Sequence, residues 1–159
     1  MALARIDVTA YDHPDAVVLV AEVQQEYVVR YGGEDGTPVD PADFAPPRGL
    51  FLVAYVDGTP AACGGWRAHG TEVEVKRMYV SPAFRGRGLA RAVLAELERT
   101  AGEDGYRRIV LETGSKQPEA IALYRSSGYE PVPRFGFYAN APGALHLGKA
   151  VGAECPSTR

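Results

Sequence analysis

The run Val80-Ser81-Pro82-Ala83-Phe84-Arg85-Gly86-Arg87-Gly88-Leu89-Ala90 connects a predicted strand to a predicted helix through one tight turn. Glycines let several backbone N–H groups point into one concavity, and the first N–H groups of a helix have no partner within the helix. The helix dipole and the two arginines of the turn add positive charge at the same place. The run therefore predicts an anion-binding site that suits a pyrophosphate.

Two common phosphate-binding patterns do not describe this turn. No Gly-Lys-Ser/Thr follows it, which excludes a P-loop, and Gly86-x-Gly88 is followed by Arg91 where a dinucleotide fingerprint has a third glycine. Arg-Gly-Arg-Gly also occurs in RNA-binding segments, but those are disordered repeats. An ordinary strand–helix turn is the remaining alternative to an anion site.

The pattern Arg85-x-x-Gly88-x-Ala90 resembles R/Q-x-x-G-x-G/A, the motif that closes the donor site of the GNAT superfamily of N-acetyltransferases. A second segment, from Leu111 to Tyr129, resembles the closing strand–helix–strand of the same family, N-x-x-A-x-x-L-Y-x-x-x-G-F, with the same spacing. Gln117 stands where the family usually has Asn, and Tyr129 replaces Phe. Both motifs occur in the family's order, and the resemblance covers roughly residues 50–132.

Hydrophobic periodicity and turn residues predict the element order β–α–β–β–β–α–β–α–β–β. The first helix begins at Pro14, ends at Gly32-Gly33 and is followed by a polar, mobile loop from Gly32 to Gly49 that is either a substrate lid or a solvated connector. Its predicted apolar stripe is Val17, Val20, Ala21, Val28 and Tyr31, with Tyr27 beside it. The other predicted elements are strands Ala4–Thr9, Leu50–Val56, Pro60–Arg67, Glu72–Val80, Arg108–Thr113, Tyr129–Val132 and Ala144–Lys149, and helices from Leu89 to near Gly102 and Pro118–Ser127.

The resemblance implies the GNAT fold, an α/β (α+β) architecture with a mixed sheet of about seven strands, helices on both faces and a V-shaped acetyl-CoA cleft. We expect one domain over residues 1–150 and a flexible C-terminal tail over 151–159. Some family members form homodimers, so the resemblance leaves a homodimer open, and the sequence does not decide it.

Composition limits the partners of the chain. Of its 159 residues, 46% are hydrophobic, which is too many for a disordered chain, and the formal charge of -3 gives no general attraction to nucleic acid or anionic lipid. No apolar run approaches the ~20 residues of a membrane span. Cys63 and Cys155 lie far apart without a Cys/His ligand spacing. We therefore expect a soluble, cytoplasmic protein that binds no nucleic acid, membrane or metal.

The resemblance implies acetyl-CoA as the acyl donor and assigns its contacts. A strand edge can pair with the amides of pantetheine as it does with a peptide. By the resemblance, the backbone of Met78, Tyr79 and Val80 would bind the pantetheine arm. The pyrophosphate would lie on Arg85, Gly86, Arg87, Gly88, Leu89 and Ala90, and Gln117 and Tyr124 would complete the CoA site.

Acetyl transfer to an amine needs a base for the amine and an acid for the leaving thiolate. The resemblance assigns the acid to Tyr124, for which simple packing in its helix is the alternative. Glu74 is the predicted base, because some family members place a catalytic glutamate on this strand. Glu72 and Lys76 share its face, so Glu74 could instead form cross-strand ion pairs. A water chain is another alternative, and Glu112 is a weaker candidate because a charged residue in mid-strand can point to solvent.

The predicted acceptor pocket draws on the first helix, the following loop and the C-terminal bend. Aromatic candidates for its wall are Tyr27, Tyr31, Phe44, Trp66, Phe135, Phe137 and Tyr138. Arg48, Arg67 and Arg134 could bind an acceptor carboxylate, although a solvated arginine is the commoner case. We expect an N-acetyltransferase acting on a primary amine of a small molecule. The alternatives are a protein N-terminal or lysine acetyltransferase and a non-catalytic acyl-CoA sensor, against which the retained Tyr124 argues.

Overall fold

A computed structural model describes residues 4–152 and has the predicted order of elements, with every main strand and helix within two residues of its expected start. The strands are β1 Ala4–Val8, β2 Gly49–Val56, β3 Thr59–His69, β4 Glu72–Val80, β5 Arg108–Gly114, β6 Glu130–Pro131 and β7 Ala144–Ala150. The helices are α1 Pro14–Tyr31, α2 Leu89–Glu103 and α3 Pro118–Ser126, with short 3-10 turns at Pro41–Phe44 and Pro82–Phe84.

The strands form one mixed sheet in the order β1-β2-β3-β4-β5-β7-β6. Among the described strands, only β4 and β5 pair in parallel, because α2 carries the chain back across the sheet between them. Their pairing is limited to Val73 with Ile109 and Glu74 with Val110, after which the two strands separate. The separation opens the predicted V-shaped cleft at the centre of the sheet, and the mixed fold with its cleft is confirmed.

Each face of the sheet carries its own core. On one face, Val93, Leu94 and Leu97 of α2 belong to the core that α2 forms with β2, β3 and β4. On the other face, the buried residues of α1 pack against Phe51 and Val53 of β2. Helices on both faces, as predicted, close the two sides of the cleft.

The predicted apolar stripe of α1 is only partly correct: Val20 and the adjacent Tyr27 pack against the core, but the stripe misses the residues that are fully buried. The residues that α1 buries are Ala16, Leu19 and Val23, whereas Val17 is exposed. Valine and alanine occur all round this helix, so the spacing of apolar residues fits more than one face. The facing residues of β2 and β3 select the face that is buried.

The segment from Gly32 to Gly49 is anchored to the sheet, and the solvated connector is therefore the wrong alternative. Phe44 is buried and stacks on Tyr11, with ring centroids 4.9 Å apart, and it also packs edge-on against Phe51. Thr37 is buried as well. The segment becomes one wall of the cleft.

The residues directly after β7 still pack against the sheet. Val151 is buried, and its N–H donates a 2.8 Å hydrogen bond to the carbonyl of Arg107. Residues 153–159 lie outside the described residues, so the flexible tail stays a prediction.

Candidate active site

A bulge in β4 shapes the floor of the cleft. The β3–β4 register shifts between Cys63 and Gly65, and Arg77 has a positive φ of 64°. The bulge interrupts the alternation of side chains, so the consecutive residues Lys76 and Arg77 both contact Asp35 on the α1 side. A Cβ at Gly64 would come within 2.5 Å of the Met78 sulfur, which explains the glycine opposite the bulge.

The separation of β4 and β5 encloses a cavity of about 420 Å³. Residues of β4, β5, α1, α3 and the segment before β7 line it, which brings the second sequence motif together with the predicted acceptor side, while the glycine turn at residues 85–90 lies outside the lining. The lining includes Tyr27, Tyr31, Asp35, Lys76, Arg77, Met78, Glu112, Gly114, Gln117, Tyr124, Tyr138 and Gly143.

The edge of β4 that faces the cavity supplies backbone hydrogen-bonding groups. Beyond Glu74, β4 makes no ladder pairing with β5, so this edge is open to an extended, amide-bearing ligand. Met78 lines the cavity, while the Tyr79 hydroxyl points away and donates to Glu22 at 3.0 Å. The Val80 carbonyl accepts a 2.9 Å hydrogen bond from Arg85. The open edge therefore fits the predicted pantetheine contact, but not through the Val80 oxygen.

The glycine turn has the properties of an anion cradle. Gly86 and Gly88 have φ of +81° and +79°, and no atom lies within 4 Å of a Cβ built on either. Gly88 caps α2 without a side-chain hydrogen bond, and within residues 4–152 the backbone N–H groups of residues 86–90 have no acceptor. Leu89 is buried and fixes the helix start against the core. The turn thus presents unpaired N–H groups that suit a pyrophosphate.

The two arginines of the turn have different surroundings. Arg85 donates to Glu26 of α1 at 2.9 Å as well as to the Val80 carbonyl, so its guanidinium ties the turn to α1. Arg87 is exposed and lies over the ring of Phe84, 5.4 Å from its centroid. Arg87 is therefore the more available of the two charges for a phosphate.

Tyr124 combines burial with access to the cavity. Its side chain is only 6% exposed, and within the described part of the chain its hydroxyl has no hydrogen-bond partner. Burial raises the pKa of Tyr124, and the negative charge of Glu112 raises it further, so the phenol keeps its proton at neutral pH. Its ring also packs against Tyr129, which means that the packing role is present alongside the open hydroxyl.

Glu112 lies opposite Tyr124's helix in the same cavity. Burial raises its pKa to about 7, with Asp35 and Glu74 raising it further and Lys76 opposing them. Sequence reasoning ranked Glu112 low because it is in mid-strand. Its neighbour Leu111 faces the α2 core, so Glu112 faces the other side, which α1 covers and which solvent therefore does not fully reach.

The predicted base, Glu74, has a different environment. Glu74 is buried and accepts a 3.3 Å hydrogen bond from Arg67 of the neighbouring strand β3. Glu72 forms an ion pair with Arg108 at 3.4 Å. Neither glutamate lines the cavity, and Lys76 pairs with Asp35 instead of with them. The structure thus brings Tyr124 together with Glu112, and it keeps Glu74 in an ion pair outside the lining.

Asp35 is the centre of a buried polar network. Its Oδ2 accepts from Lys76 at 2.8 Å and from Arg77 at 2.5 Å, and its Oδ1 accepts from Thr37 at 2.6 Å and Tyr138 at 2.8 Å. Burial alone would raise the pKa of Asp35, but the Lys76 charge and the Lys76 and Thr37 hydrogen bonds hold it well below its usual range. One carboxylate thus joins β4, the loop after α1 and the segment before β7 into a single wall.

The end of α1 spans the mouth of the cavity. Tyr31 lies so close to Gly114 that a Cβ there would overlap the tyrosine hydroxyl, which also accepts from Gln117 at 3.2 Å. Arg30 donates to the Lys116 carbonyl at 2.8 Å. Gln117 therefore contacts α1 and also lines the cavity.

The aromatic candidates divide into two groups. Tyr27, Tyr31 and Tyr138 line the cavity, whereas Phe44 and Trp66 belong to the hydrophobic cores. Phe135 packs against His146. Of the aromatic candidates for the acceptor wall, only Tyr27, Tyr31 and Tyr138 line the cavity.

The described part of the chain, residues 4–152, has neither a metal-binding cluster of acidic, His or Cys side chains nor a membrane-spanning helix. Over that range no cluster of three or more His, Cys, Asp or Glu side chains has the proximity that a metal ion needs. Within the same range, the helices lack the combination of length and apolarity required to cross a membrane.

Comparisons with known proteins agree with the fold and the motifs. The GNAT acetyltransferase family model matches residues 19–129. The chain is 37% identical over 140 residues to the IAA acetyltransferase of Azospirillum brasilense, covering 86% of this chain and 92% of that one. An acyl-CoA N-acyltransferase structure from Klebsiella pneumoniae superposes with a TM-score of 0.77 and 27% identity, over 94% of this chain and 98% of that one.

A structure with a bound donor shares the fold. The PaiA N-acetyltransferase of Thermoplasma acidophilum, solved in complex with coenzyme A, matches with a TM-score of 0.69 and 14% identity, over 92% of this chain and 99% of that one. The family model and the well-covered relative confirm the family that the two motifs predicted. The chain belongs to the GNAT family of acetyltransferases and is an acetyl-CoA-dependent N-acetyltransferase.

Proposed function

We propose that this chain transfers the acetyl group of acetyl-CoA to a primary amine of a small molecule, by direct attack in a ternary complex within the β4–β5 cavity. One observation carries the proposal. Glu112 and Tyr124 line the same cavity, and their pKa values differ so widely that near neutral pH one can accept a proton while the other still holds one.

The proposed donor contacts follow the family pattern, except that the Val80 carbonyl is left out because Arg85 already donates to it. The unpaired edge of β4 at Met78 and Tyr79 holds the pantetheine arm, and residues 85–90 hold the pyrophosphate, chiefly through backbone N–H groups and Arg87. Gln117 and Tyr124 border the thioester end. The open space above Gly86 and Gly88 supports this assignment, because bulkier side chains there would fill the cradle.

Glu112 solves the first proton problem of the reaction. A free amine has a pKa near ~10.4 and is mostly protonated at neutral pH, so it must lose a proton before it can attack. A carboxylate whose pKa is about 7 is a better proton acceptor at this pH than an ordinary glutamate. We propose Glu112 as the base in preference to Glu74, because Arg67 already occupies Glu74.

Tyr124 solves the second proton problem. The neutral amine nitrogen forms a C–N bond with the acetyl carbon and releases its second proton to solvent, the C–S bond breaks, and the CoA sulfur leaves with the electron pair. Tyr124 donates its proton to this sulfur, and the phenolate recovers a proton from solvent. The N–H groups on the open edge of β4 are positioned to stabilise the oxyanion that precedes C–S cleavage.

The size of the cavity and the α1 contacts at its edge favour a small acceptor over a protein. A volume of about 420 Å³ lies within the ordinary range for small-molecule sites, and Tyr31 and Arg30 of α1 narrow its mouth. A protein N-terminus or lysine would have to pass the same contacts. An acyl-CoA sensor would not require the open Tyr124 hydroxyl beside Glu112.

The acceptor class is tested by the release of CoA thiol from acetyl-CoA. We expect turnover with small primary amines and at least about tenfold lower kcat/KM with peptides that have a free N-terminus or a lysine. Mass spectrometry of the product should show one added acetyl group. Faster acetylation of the peptides would support the protein acetyltransferase, and tight CoA binding without turnover on any amine would support the sensor.

Tyr124→Phe should lower kcat by about 10²- to 10³-fold, because the leaving thiolate loses its proton donor. The dissociation constant for acetyl-CoA, measured by calorimetry, should change by no more than about twofold, since the ring remains. Tyr129→Phe is a matched control, because its hydroxyl donates to Glu98 outside the cavity. Equal kcat in the Tyr124 variant and wild type would remove Tyr124 from the chemistry.

A further inference from the structure

Two buried cationic side chains of the cavity share a single carboxylate. Lys76 and Arg77 are 7% and 4% exposed, and both pair with the single carboxylate of Asp35. Glu74, the other buried carboxylate on β4, pairs with Arg67. The cluster of Lys76, Arg77 and Asp35 by itself thus carries one net positive charge.

Both cations keep unused hydrogen-bond donors. Lys76 gives two ammonium hydrogens to Asp35 and Thr37, at 2.8 and 3.1 Å, and a third has no acceptor within residues 4–152. The Nε of Arg77 is buried and also has no partner in that range. A buried charge with open donors is costly, and a ligand carboxylate would offset that cost.

The arginines that the sequence suggested for this role bind elsewhere. Arg67 pairs with Glu74 and Asp43, Arg48 pairs with Asp43, and Arg134 donates to the carbonyls of residues 139 and 141. None of the three lines the cavity. Recognition of an anionic group deep in the cavity therefore falls to Lys76 and Arg77.

Charges of opposite sign face each other across the cleft. Lys76 and Arg77 lie on β4, and Glu112 lies on β5, on the same α1 side of the separating strands. An acceptor with an amine at one end and an anion at the other can satisfy both strands at once. The anionic end of such an acceptor would neutralise the net positive charge of the Lys76, Arg77 and Asp35 cluster.

We propose that the acceptor is a free amino acid, with its carboxylate bound by Lys76 and Arg77 and its amine directed to Glu112. The inference rests on the proposed function and specifies its substrate class. Asp35 holds the two cations in place, Lys76 supplies the hydrogen bond that faces the ligand, and Tyr138 closes the site, with the Lys76 ammonium 5.9 Å from its ring centroid.

Matched acceptor pairs test the inference. Each of the common L-amino acids is compared with its own carboxamide, which keeps the amine and side chain but removes the negative charge. We expect the best free acid to exceed its amide by about tenfold or more in kcat/KM, because the amide does not neutralise the net positive charge of the Lys76, Arg77 and Asp35 cluster. Amides as good as the acids would overturn the inference while leaving amine acetylation intact, and no turnover on either set would overturn both.

Substitutions of Lys76 test whether the carboxylate of the acceptor binds there. Lys76→Met should abolish the preference for the acid over the amide, and Lys76→Arg should keep most of it. Lys149→Met is the matched control, since Lys149 also pairs with a carboxylate, Glu98 at 3.0 Å, but lies outside the cavity lining. A preference that survives Lys76→Met would overturn the assignment.

A binding measurement keeps the test independent of folding defects in the variants. In the presence of CoA, wild-type protein is titrated with the N-acetyl derivative of the best amino acid and with the N-acetyl amide. We expect the acid to bind about tenfold more tightly, corresponding to about 1.4 kcal/mol. Equal affinities would contradict a carboxylate site at Lys76.

Discussion

Glu112→Gln is expected to lower kcat/KM for the amine by about 10²- to 10⁴-fold at neutral pH, the range lost when a general base is removed. The amide keeps the size and the position of the side chain on β5 but cannot accept the proton of the amine. The measurement is CoA thiol release under steady-state conditions with one small primary amine. Acetyl-CoA affinity should change little, because Glu112 faces the acceptor side.

Glu74→Gln is the matched control for this prediction. It removes the same charge from the neighbouring strand, but from a glutamate that pairs with Arg67 and does not line the cavity. We expect its effect on kcat/KM to be less than about tenfold, provided that unfolding measurements show a folded protein. A larger loss in Glu74→Gln than in Glu112→Gln would restore Glu74 as the base.

The Glu112 substitution should also change stability in a pH-dependent way. Because the folded-state pKa is raised from 4.5 to about 7, the folded protein binds this proton more tightly than the unfolded chain. Deprotonation therefore costs stability, and that cost grows between pH 4.5 and 7 and is fully present above 7. Glu112→Gln should consequently be more stable than wild type at high pH, by about 1 to 3 kcal/mol.

Asp35→Asn is expected to reduce the free energy of unfolding by about 3–5 kcal/mol, the usual cost of breaking a buried ion pair on one side. The amide would leave Lys76 and Arg77 as two buried cations without a counter-charge. It would also weaken the links between β4, the loop after α1 and Tyr138. Urea unfolding at neutral pH, followed by circular dichroism, measures the change.

Glu34→Gln is the control for Asp35→Asn, because Glu34 is adjacent in sequence and exposed. Its expected effect is within about 0.5 kcal/mol. The folded-state pKa of Asp35 lies below its ordinary value of 3.8, so its contribution is present above that pH and is lost on acidification. A loss of less than about 1 kcal/mol in Asp35→Asn would contradict the role of Asp35 as the centre of the network.

The order of the elements could be predicted from the sequence because their ends carry strong local signals. β4 has the predicted bounds Glu72–Val80, set between the turn at Gly70 and the Ser81-Pro82 pair. The glycine turn was recognisable for the same reason, since its residues act through their own backbone. Local chemistry of this kind does not depend on distant contacts.

The details of the site depend on contacts that local patterns do not contain. The shared orientation of Lys76 and Arg77 results from a bulge, and that bulge depends on the register between β3 and β4. The environment of Glu112 depends on the position of α1 over one face of the sheet. The environment of Glu74 depends on Arg67, which lies opposite it on the neighbouring strand β3. A sequence-based choice between these two glutamates therefore lacked the deciding information.

The pH dependence of kcat/KM in wild type and Glu112→Gln tests the central claim most directly. With a small primary amine as acceptor, wild type should show an ascending limb with an apparent pKa near 7, which reports deprotonation of Glu112 in the free enzyme. In Glu112→Gln this limb should be absent, and the remaining rate should rise only with deprotonation of the amine itself. An unchanged limb near pH 7 in the variant would contradict Glu112 as the base.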